Sequence, residues 1–252
     1  MSVAWHSQGM TNVPPDDGWL SPREAAWVAR MPFEKRRSEF RMGRWTAKSA
    51  IALFLGRSLA PETFHAIEID RAPDGAPAPM VEGEPAPASI SMTDRADQAV
   101  CVVSQPGLGL GVDLELVEPR TDAFVADYLT EAERRLVGES SDREEHDLRA
   151  NLIWCGKESA LKVLRTGLRR DTRSVEVSFP DTPRVEGWSA MTVRAAEGSE
   201  YPGWWRRYGD FVLTVAATES FSPPRPLVDP PGLETAVPAH AWLTRAPQGG
   251  AR

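Results

Sequence analysis

The chain has 252 residues, which is enough for one large or two small domains with a buried core. Its formal net charge of −7 argues against a general binder of nucleic acid or of acidic membranes. No segment approaches the roughly 18 apolar residues that a transmembrane helix needs, and the polar first 19 residues do not resemble a secretory signal. We therefore expect a cytoplasmic protein that binds neither nucleic acid nor a membrane.

The cysteines and histidines show no pattern of a known catalytic or metal site. The two cysteines, Cys101 and Cys155, have no disulfide or metal spacing, which is typical of an intracellular chain. The four histidines are far apart in the sequence, so no zinc site and no Ser-His-Asp arrangement is indicated. Any metal site in this chain is therefore expected to use oxygen ligands.

Capping signals predict where the helices begin. Ser21 and Glu24 enclose a proline and form a typical helix start, with serine as N-cap and glutamate three residues later. Thr130 and Glu133 form a second capping box. Residues 1–20 are predicted to be an irregular lead-in. The predicted helices cover residues 22–30, 33–59, 131–137 and 147–165.

Alternating or continuous apolar runs predict the strands. Residues 72–87 contain five prolines, so we expect a lid or connector there and no helix or central strand. Trp204 and Trp205 are expected to pack in a core and not to stack on bases, because the chain is acidic. The predicted strands cover residues 64–69, 99–104, 175–179, 188–195 and 211–218, and a further strand ends at residues 111–115.

The order of the predicted elements, helices followed by strands, occurs twice. This predicts an α+β fold of two similar lobes, residues 1–110 and 111–220, related by pseudo-two-fold symmetry with an active site in the cleft between them. Residues 221–252 are rich in proline and are predicted to form a disordered or draped tail.

Carboxylates on one strand and one helix suggest a site for a divalent cation. Strand alternation places Asp113 and Glu115 on one face, where like charges repel unless a cation lies between them. Glu158 and Lys162 are four residues apart and share a helix face. If the helix crosses the strand, three carboxylates and an ammonium group converge into an all-oxygen site for Mg²⁺ or Mn²⁺, with open positions for a phosphate. The alternative is an ordinary solvated surface, and neither motif alone decides between them.

The second predicted helix carries a cationic stripe. Its members are Arg36, Arg37, Arg44 and Lys48. Two interpretations remain open from the pattern, a solvated basic face or a grip for phosphate groups, which arginine binds through paired hydrogen bonds.

Taken together, the motifs resemble those of a known family. Gly-Val-Asp-Leu-Glu at 111–115, followed by Trp-x-x-Lys-Glu-Ser-x-x-Lys at 154–162, is similar to the 4′-phosphopantetheinyl transferases. The resemblance is to the long, two-lobed type that activates surfactin and enterobactin synthetases. Residues 130–136 are similar to the intervening helix and residues 35–48 to the first basic motif, so the resemblance covers about residues 20–220.

The resemblance implies a reaction and its partners. Coenzyme A is the donor, and its phosphopantetheine moves to a serine of an acyl or peptidyl carrier protein with release of adenosine 3′,5′-bisphosphate. This places the protein in polyketide or non-ribosomal peptide biosynthesis, although fatty-acid carriers also remain possible. Since both lobes lie in one chain, a monomer is expected.

The resemblance also implies roles for individual residues. Asp113, Glu115 and Glu158 would hold Mg²⁺ against the pyrophosphate of coenzyme A. Glu158 is implied as the base for the serine hydroxyl, and Lys162 as the group that steadies the phosphate and the leaving group. The adenosine end, with its 3′-phosphate, would be held by Arg36 and Arg44.

Two departures from the family pattern lie on the donor side. The family has a histidine in a Ser-x-Ser/Thr-His motif, and here either Met92 or Asp94 stands in its place, depending on the alignment. The family's Gly-Lys-Pro loop has Ala76 in place of the lysine. We expect weaker binding of coenzyme A or a modified donor site, with the chemistry retained. The alternatives are a degenerate paralogue that binds coenzyme A or a carrier protein without catalysis, and a structural protein in which the motifs occur by chance.

Overall fold

A computed structural model gives the fold and describes residues 1–239, apart from the side chain of Leu168. The structure is mixed α+β, which confirms the predicted fold class. The helices are α1 Pro22–Arg30, α2 Glu34–Phe54, α3 Asp122–Tyr128, α4 Glu131–Gly138 and α5 Arg143–Val163. The strands are β1 Val3–Gly9, β2 Ile67–Arg71, β3 Pro77–Val81, β4 Glu84–Pro85, β5 Ser89–Arg95, β6 Gln98–Ser104, β7 Leu110–Leu116, β8 Val175–Ser178, β9 Ser189–Ala195, β10 Glu200–Tyr208, β11 Phe211–Ala217 and β12 Arg225–Pro226.

The strands of the described chain form three sheets. The first has the order β12-β1-β6-β5, the second β7-β11-β10-β9-β8, and a small third sheet β2-β3-β4. Helix α2 packs on the first sheet and helix α5 on the second. One hydrophobic core contains residues of both large sheets, with Trp5 and Val102 from the first and Leu114 and Leu213 from the second. The two sheets are therefore joined by a shared core.

No helix in the part of the chain that the structure describes combines the length and apolar character needed to cross a membrane.

A buried glutamate links the start of α1 to its neighbours. Glu24 closes the predicted capping box, because its Oε2 accepts from the backbone N–H of Ser21 at 3.0 Å. Its Oε1 accepts from the backbone N–H of Ile69 in β2, also at 3.0 Å. Lys48 of α2 lies 2.5 Å from the same carboxylate, and both side chains are fully buried. Lys48 thus belongs to the core, and the predicted cationic stripe of α2 does not include it.

The same arrangement occurs a second time at the start of α4. Glu133 closes a capping box with Thr130 and accepts from the backbone N–H of Val177 in β8 at 2.7 Å. Lys157 of α5 lies 2.7 Å from its carboxylate, and both side chains are buried. In each case the lysine also donates to two backbone carbonyls. The capping residue, the glutamate and the lysine recur at a constant interval along the chain.

We predict that Lys157→Met lowers the free energy of unfolding by about 3–5 kcal/mol, because it leaves the carboxylate of Glu133 buried without a cation. Urea denaturation measures the change. The matched control is Lys35→Met, which removes a lysine from the exposed helical pair with Glu39 and is expected to cost less than about 0.5 kcal/mol. Equal losses in the two variants would contradict the prediction.

The N-terminal lead-in was wrongly predicted to be irregular. Strand β1 lies between β6 and β12, with Val3 and Trp5 in the core. Its central residues, His6 and Ser7, are polar yet buried. This polarity at core positions breaks the apolar pattern that predicts a strand.

The buried imidazole of His6 gives the fold a pH dependence. Burial lowers the pKa of His6 from 6.5 to about 4. Below about pH 6.5 the unfolded chain binds a proton at His6 that the folded chain does not bind. The free energy of unfolding therefore decreases as the pH falls from about 6.5 towards 4. We expect a loss of about 3 kcal/mol over this range from His6, absent in His6→Gln. Urea denaturation at both ends of the range measures it, with the exposed His65→Gln as control; an unchanged slope in His6→Gln would refute the prediction.

The proline-rich segment was also wrongly predicted, since it contains strand β3. Pro77 and Pro79 are tolerated there because β4 pairs only with Met80 and Val81. The prolines therefore have a strand neighbour on one side only, towards β2. Three other boundaries differ from the prediction. Helix α5 begins at Arg143, four residues before the predicted start, because Asp142 caps it. Helix α2 ends before Gly56, whose φ of +65° is a helix stop, and the strand predicted from residue 64 begins at residue 67.

Strand β10 and helix α3 were not predicted, and both carry aromatic residues. Trp204 of β10 packs against the shared core, and Trp205 packs against the core under α5, which agrees with the predicted packing role. Of the predicted tail, residues 221–239 run beside β1, where β12 pairs in parallel with it and Phe221 and Leu233 are buried. Residues 240–252 of that prediction lie outside the described residues.

Candidate active site

The two large sheets meet along their edge strands, β5 and β7, through side chains. Ser91 Oγ accepts from the backbone N–H of Val112 at 3.2 Å. Thr93 Oγ1 donates to Asp113 Oδ1 at 3.1 Å. Two residues further along β5, an arginine contacts the glutamate two residues further along β7. We call this line of contacts the seam. Because alternate residues of a strand share a face, it aligns the predicted carboxylates with one side of β5.

Asp113 is buried at the seam, with 6% of its surface exposed. Its Oδ1 accepts from Lys162 Nζ at 2.8 Å, and the same ammonium donates to the carbonyl of Val112 at 2.7 Å. Its Oδ2 is buried without a hydrogen-bond partner. Burial acts to lower the pKa of Lys162, but the charge of Asp113 and its hydrogen bond outweigh this, so the pKa of Lys162 is raised. The lysine therefore stays charged at neutral pH.

Glu158 of α5 lies beside this pair. Its Oε1 is also buried without a partner. Burial, reinforced by the charges of Asp113 and Glu115, raises the pKa of Glu158 to about 7. Lys162 opposes this shift. The structure therefore brings the strand and helix carboxylates into one electrostatic cluster.

Glu115 differs from the other two carboxylates because both of its oxygens are engaged. Oε1 accepts from Trp154 Nε1 at 3.0 Å, and Oε2 lies 3.2 Å from both Arg95 Nε and Arg120 Nη2. Burial, and then the charge of Asp113, raise the pKa of Glu115, while the two arginines lower it.

The three predicted metal ligands lie in one electrostatic cluster, and their partners differ. Within residues 1–239, no group of three or more histidine, cysteine, aspartate or glutamate side chains is arranged to hold a metal ion. The reason lies in the partners just described: arginines hold Glu115, and Lys162 takes one oxygen of Asp113. Of these three carboxylates, the buried oxygens without a hydrogen-bond partner are Asp113 Oδ2 and Glu158 Oε1.

A cavity of about 610 Å³ opens next to Lys162. We call it the basic cavity, because five cationic side chains line it against two carboxylates. The cationic residues are Arg44, Arg71, Lys162, Arg165 and Arg169, and the acidic ones are Asp70 and Asp74. Such a volume is typical of a small-molecule site, and the excess of positive charge favours an anionic ligand.

Only one of the two arginines predicted to hold the donor reaches the basic cavity. Arg44 lines it, stacked on Phe40 at 4.4 Å from the ring centre and 3.5 Å from Glu24. Arg36 is exposed on α2 and does not line the cavity. Eight residues of a helix span about 12 Å along its axis, so Arg36 lies towards the start of α2, away from the part that lines the cavity.

The wall of the basic cavity contains two residues at which the sequence comparison predicted a change, Met92 and Ala76. Met92 lines it, with its sulfur 3.8 Å from Arg44 Nη1, whereas Asp94 is exposed and does not line it. Ala76 also lines the cavity.

The arginines around Glu115 were missed by sequence reasoning. Arg95 lies two residues after Thr93, so strand alternation places both on the seam, and this signal was available. Arg120 follows β7 in an irregular segment, where no periodicity indicates the direction of a side chain.

Comparison with models of protein families gives a match. The model of the 4′-phosphopantetheinyl transferase superfamily (ACPS) matches residues 109–216, and a search of curated proteins finds no match. The matched segment contains β7 and α5, and with them Asp113, Glu115, Glu158 and Lys162. Members of this superfamily use coenzyme A to modify carrier proteins. Residues 109–216, which supply Asp113 and Glu115 of β7 and Glu158 and Lys162 of α5, thus match the 4′-phosphopantetheinyl transferase superfamily, and this match supports phosphopantetheinyl transfer as the general activity of the chain.

Proposed function

We propose that this protein transfers the 4′-phosphopantetheine group of coenzyme A to a serine of an acyl or peptidyl carrier protein and releases adenosine 3′,5′-bisphosphate. The observation that carries the proposal is the pair of unpartnered buried oxygens, on Asp113 and Glu158, next to a charged lysine at the edge of the basic cavity.

The basic cavity fits the donor. Coenzyme A carries a pyrophosphate and a 3′-phosphate, and its anionic groups match a wall with an excess of cations. Arg44 is the cation we assign to the adenosine end, because it is held in the wall by Phe40 and Glu24. Arg36 is exposed and lies outside the cavity wall. We propose that it contacts the donor where the adenosine end extends out of the cavity towards α2. Lys162 lines the cavity and donates to Asp113, so we assign the pyrophosphate to the position beside it.

The carboxylates fit a divalent cation, Mg²⁺ or Mn²⁺. A buried Asp113 Oδ2 without a partner is costly unless a ligand satisfies it, and Glu158 Oε1 is in the same condition. These all-oxygen donors suit a hard cation. When bound, the cation supplies neutralisation of the pyrophosphate charge.

The chain's own groups then have distinct tasks. Glu158 takes the proton of the carrier serine as the serine oxygen forms its bond to the β-phosphorus of coenzyme A. The bond between that phosphorus and the bridging oxygen breaks, and adenosine 3′,5′-bisphosphate leaves with the bridging oxygen. Lys162 donates to the phosphate oxygens and offsets the charge that develops on the leaving group. Binding the donor in the basic cavity holds the two reactants in line.

We also propose that residues 1–110 and 111–220 are two related lobes with a pseudo-two-fold relation and the site in the cleft between them. The repeated capping box, buried glutamate and lysine support this, since the same contacts recur at the same interval. The seam joins an edge strand of each half, so one chain completes the site and a monomer suffices. A cytoplasmic protein of polyketide or peptide biosynthesis is the setting we propose.

A non-catalytic paralogue is the second candidate, and Met92 and Ala76 in the cavity wall favour it. The two candidates are separated by incubating the protein with coenzyme A, Mg²⁺ and each of a panel of apo carriers. The release of adenosine 3′,5′-bisphosphate is followed by chromatography. Release that requires an apo carrier supports the transferase. Binding of coenzyme A without release from any carrier would support the paralogue.

We predict that Met92→His lowers the KM for coenzyme A about tenfold with little change in kcat, because a hydrogen bond to a charged group contributes about 1.5–3 kcal/mol. Steady-state kinetics with varied coenzyme A measure the effect. The control, Met92→Leu, removes the sulfur but adds no donor and should leave KM unchanged. A KM that does not fall in Met92→His would show that this position does not contact the donor.

A further inference from the structure

The hydrogen-bond and ion-pair partners of Glu115 distinguish it from the carboxylates of Asp113 and Glu158. Trp154 Nε1 donates to Oε1 at 3.0 Å, and Oε2 lies 3.2 Å from Arg95 Nε and from Arg120 Nη2. Two guanidinium cations and an indole donor already offset the negative charge of this carboxylate. A metal ion at the same oxygens would compete with two guanidinium groups that cannot lose their protons.

The arginines are themselves held in place. Arg120 Nε donates to Asn151 Oδ1 at 2.6 Å, and the fully buried Asn151 donates in turn to the carbonyl of Glu118 at 2.6 Å. The guanidinium of Arg95 also pairs with the Glu118 carboxylate. Moving either arginine away from Glu115 therefore leaves buried polar groups unpaired.

Glu115 is thus connected to three elements at once. It lies on β7, accepts from Trp154 on α5, and pairs with Arg95 on β5. These contacts fix the distance between the strand that carries Asp113 and the helix that carries Glu158.

We infer that Asp113 and Glu158 hold the divalent cation, and that Glu115 is a positioning carboxylate held by Arg95, Arg120 and Trp154. This deepens the proposed function and rests on it. Asp113 is more than nine-tenths buried with an unpartnered Oδ2, and Glu158 has an unpartnered Oε1, so both have an oxygen ready for a cation. Glu115 has none.

Thermal unfolding of the full chain titrated with Mn²⁺ alone tests the inference. The variants are Asp113→Asn, Glu158→Gln and Glu115→Gln, which remove one charge each and keep the shape. We expect Mn²⁺ to raise the Tm of the wild type. The apparent affinity should fall more than about 30-fold in Asp113→Asn and Glu158→Gln and stay within about threefold in Glu115→Gln. Without metal, Glu115→Gln should lower the Tm by about 5 °C or more, because two buried cations lose their partner.

An Mn²⁺ affinity in Glu115→Gln that falls as far as in Glu158→Gln would overturn the inference, and so would a wild type whose Tm does not respond to Mn²⁺. If Glu115→Gln does not fold, the charge-balanced double variant Arg95→Gln/Glu115→Gln is titrated in its place, with the same two outcomes. Carrier modification by the wild type is measured separately. Modification together with loss of Mn²⁺ binding in Glu115→Gln would leave the proposed function standing and remove only this inference.

Discussion

Replacing Glu158 with glutamine is expected to lower kcat for carrier modification by about 10²–10⁴-fold, because a positioned general base contributes that much. Glutamine keeps the size of the side chain and cannot take the serine proton. The rate is measured from adenosine 3′,5′-bisphosphate release with coenzyme A, carrier and Mg²⁺ all saturating, because the same substitution is expected to weaken the metal site. We expect the fold to survive, because Glu158 Oε1 has no partner to lose.

The matched control is Glu144→Gln on the same helix, where the side chain is 72% exposed in a pair with Arg207. It should leave kcat unchanged. A Glu158→Gln enzyme within threefold of the wild-type rate would remove this residue from the catalytic step.

Replacing Lys162 with methionine is expected to lower kcat by about 10²–10³-fold, because a charge that stabilises the transition state is lost. Since the same ammonium donates to Asp113 and to the carbonyl of Val112, we also expect a lower Tm. Lys162→Arg retains the charge and is the control for it, and it should recover part of the rate. Rapid-quench measurement of a single turnover separates the chemical step from product release.

A rise in the KM for carrier with an unchanged kcat would assign Lys162 to carrier binding, and would contradict its role at the leaving group.

The faces on which the carboxylates and the lysine lie could be predicted, because strand and helix periodicities are local. Alternation along β7 places Asp113 and Glu115 on one side, and the four-residue spacing places Glu158 and Lys162 on one helix face. Their approach to one another depends on helix α5 crossing β7, and no local pattern gives that. Capping boxes were equally accessible, since Ser21 and Thr130 bond within their own first turns.

Other features depend on partners far away in the chain. Strand β1 is stabilised by pairing with β6, about a hundred residues later, and its buried His6 and Ser7 hide it from an apolar pattern. Lys48 looked like one cation among several on α2. Helical periodicity shows which residues share a face, but it does not show that Lys48 is buried in an ion pair with Glu24.

The proposed metal set shows the same limit. A pair of acidic residues two apart on a strand predicts a site for a cation, but it does not show whether a metal ion or an arginine occupies that site. For Glu115 the structure supplies arginines from β5 and from the segment after β7.

The most direct test of the central claim is the intact mass of an apo carrier protein after incubation with this protein, coenzyme A and Mg²⁺. The account predicts a mass gain of one phosphopantetheine with the wild type. At the time when the wild type completes the reaction, Glu158→Gln should have modified at most about 1% of the carrier. No gain on any carrier of a panel, or the same gain with both proteins, would contradict it.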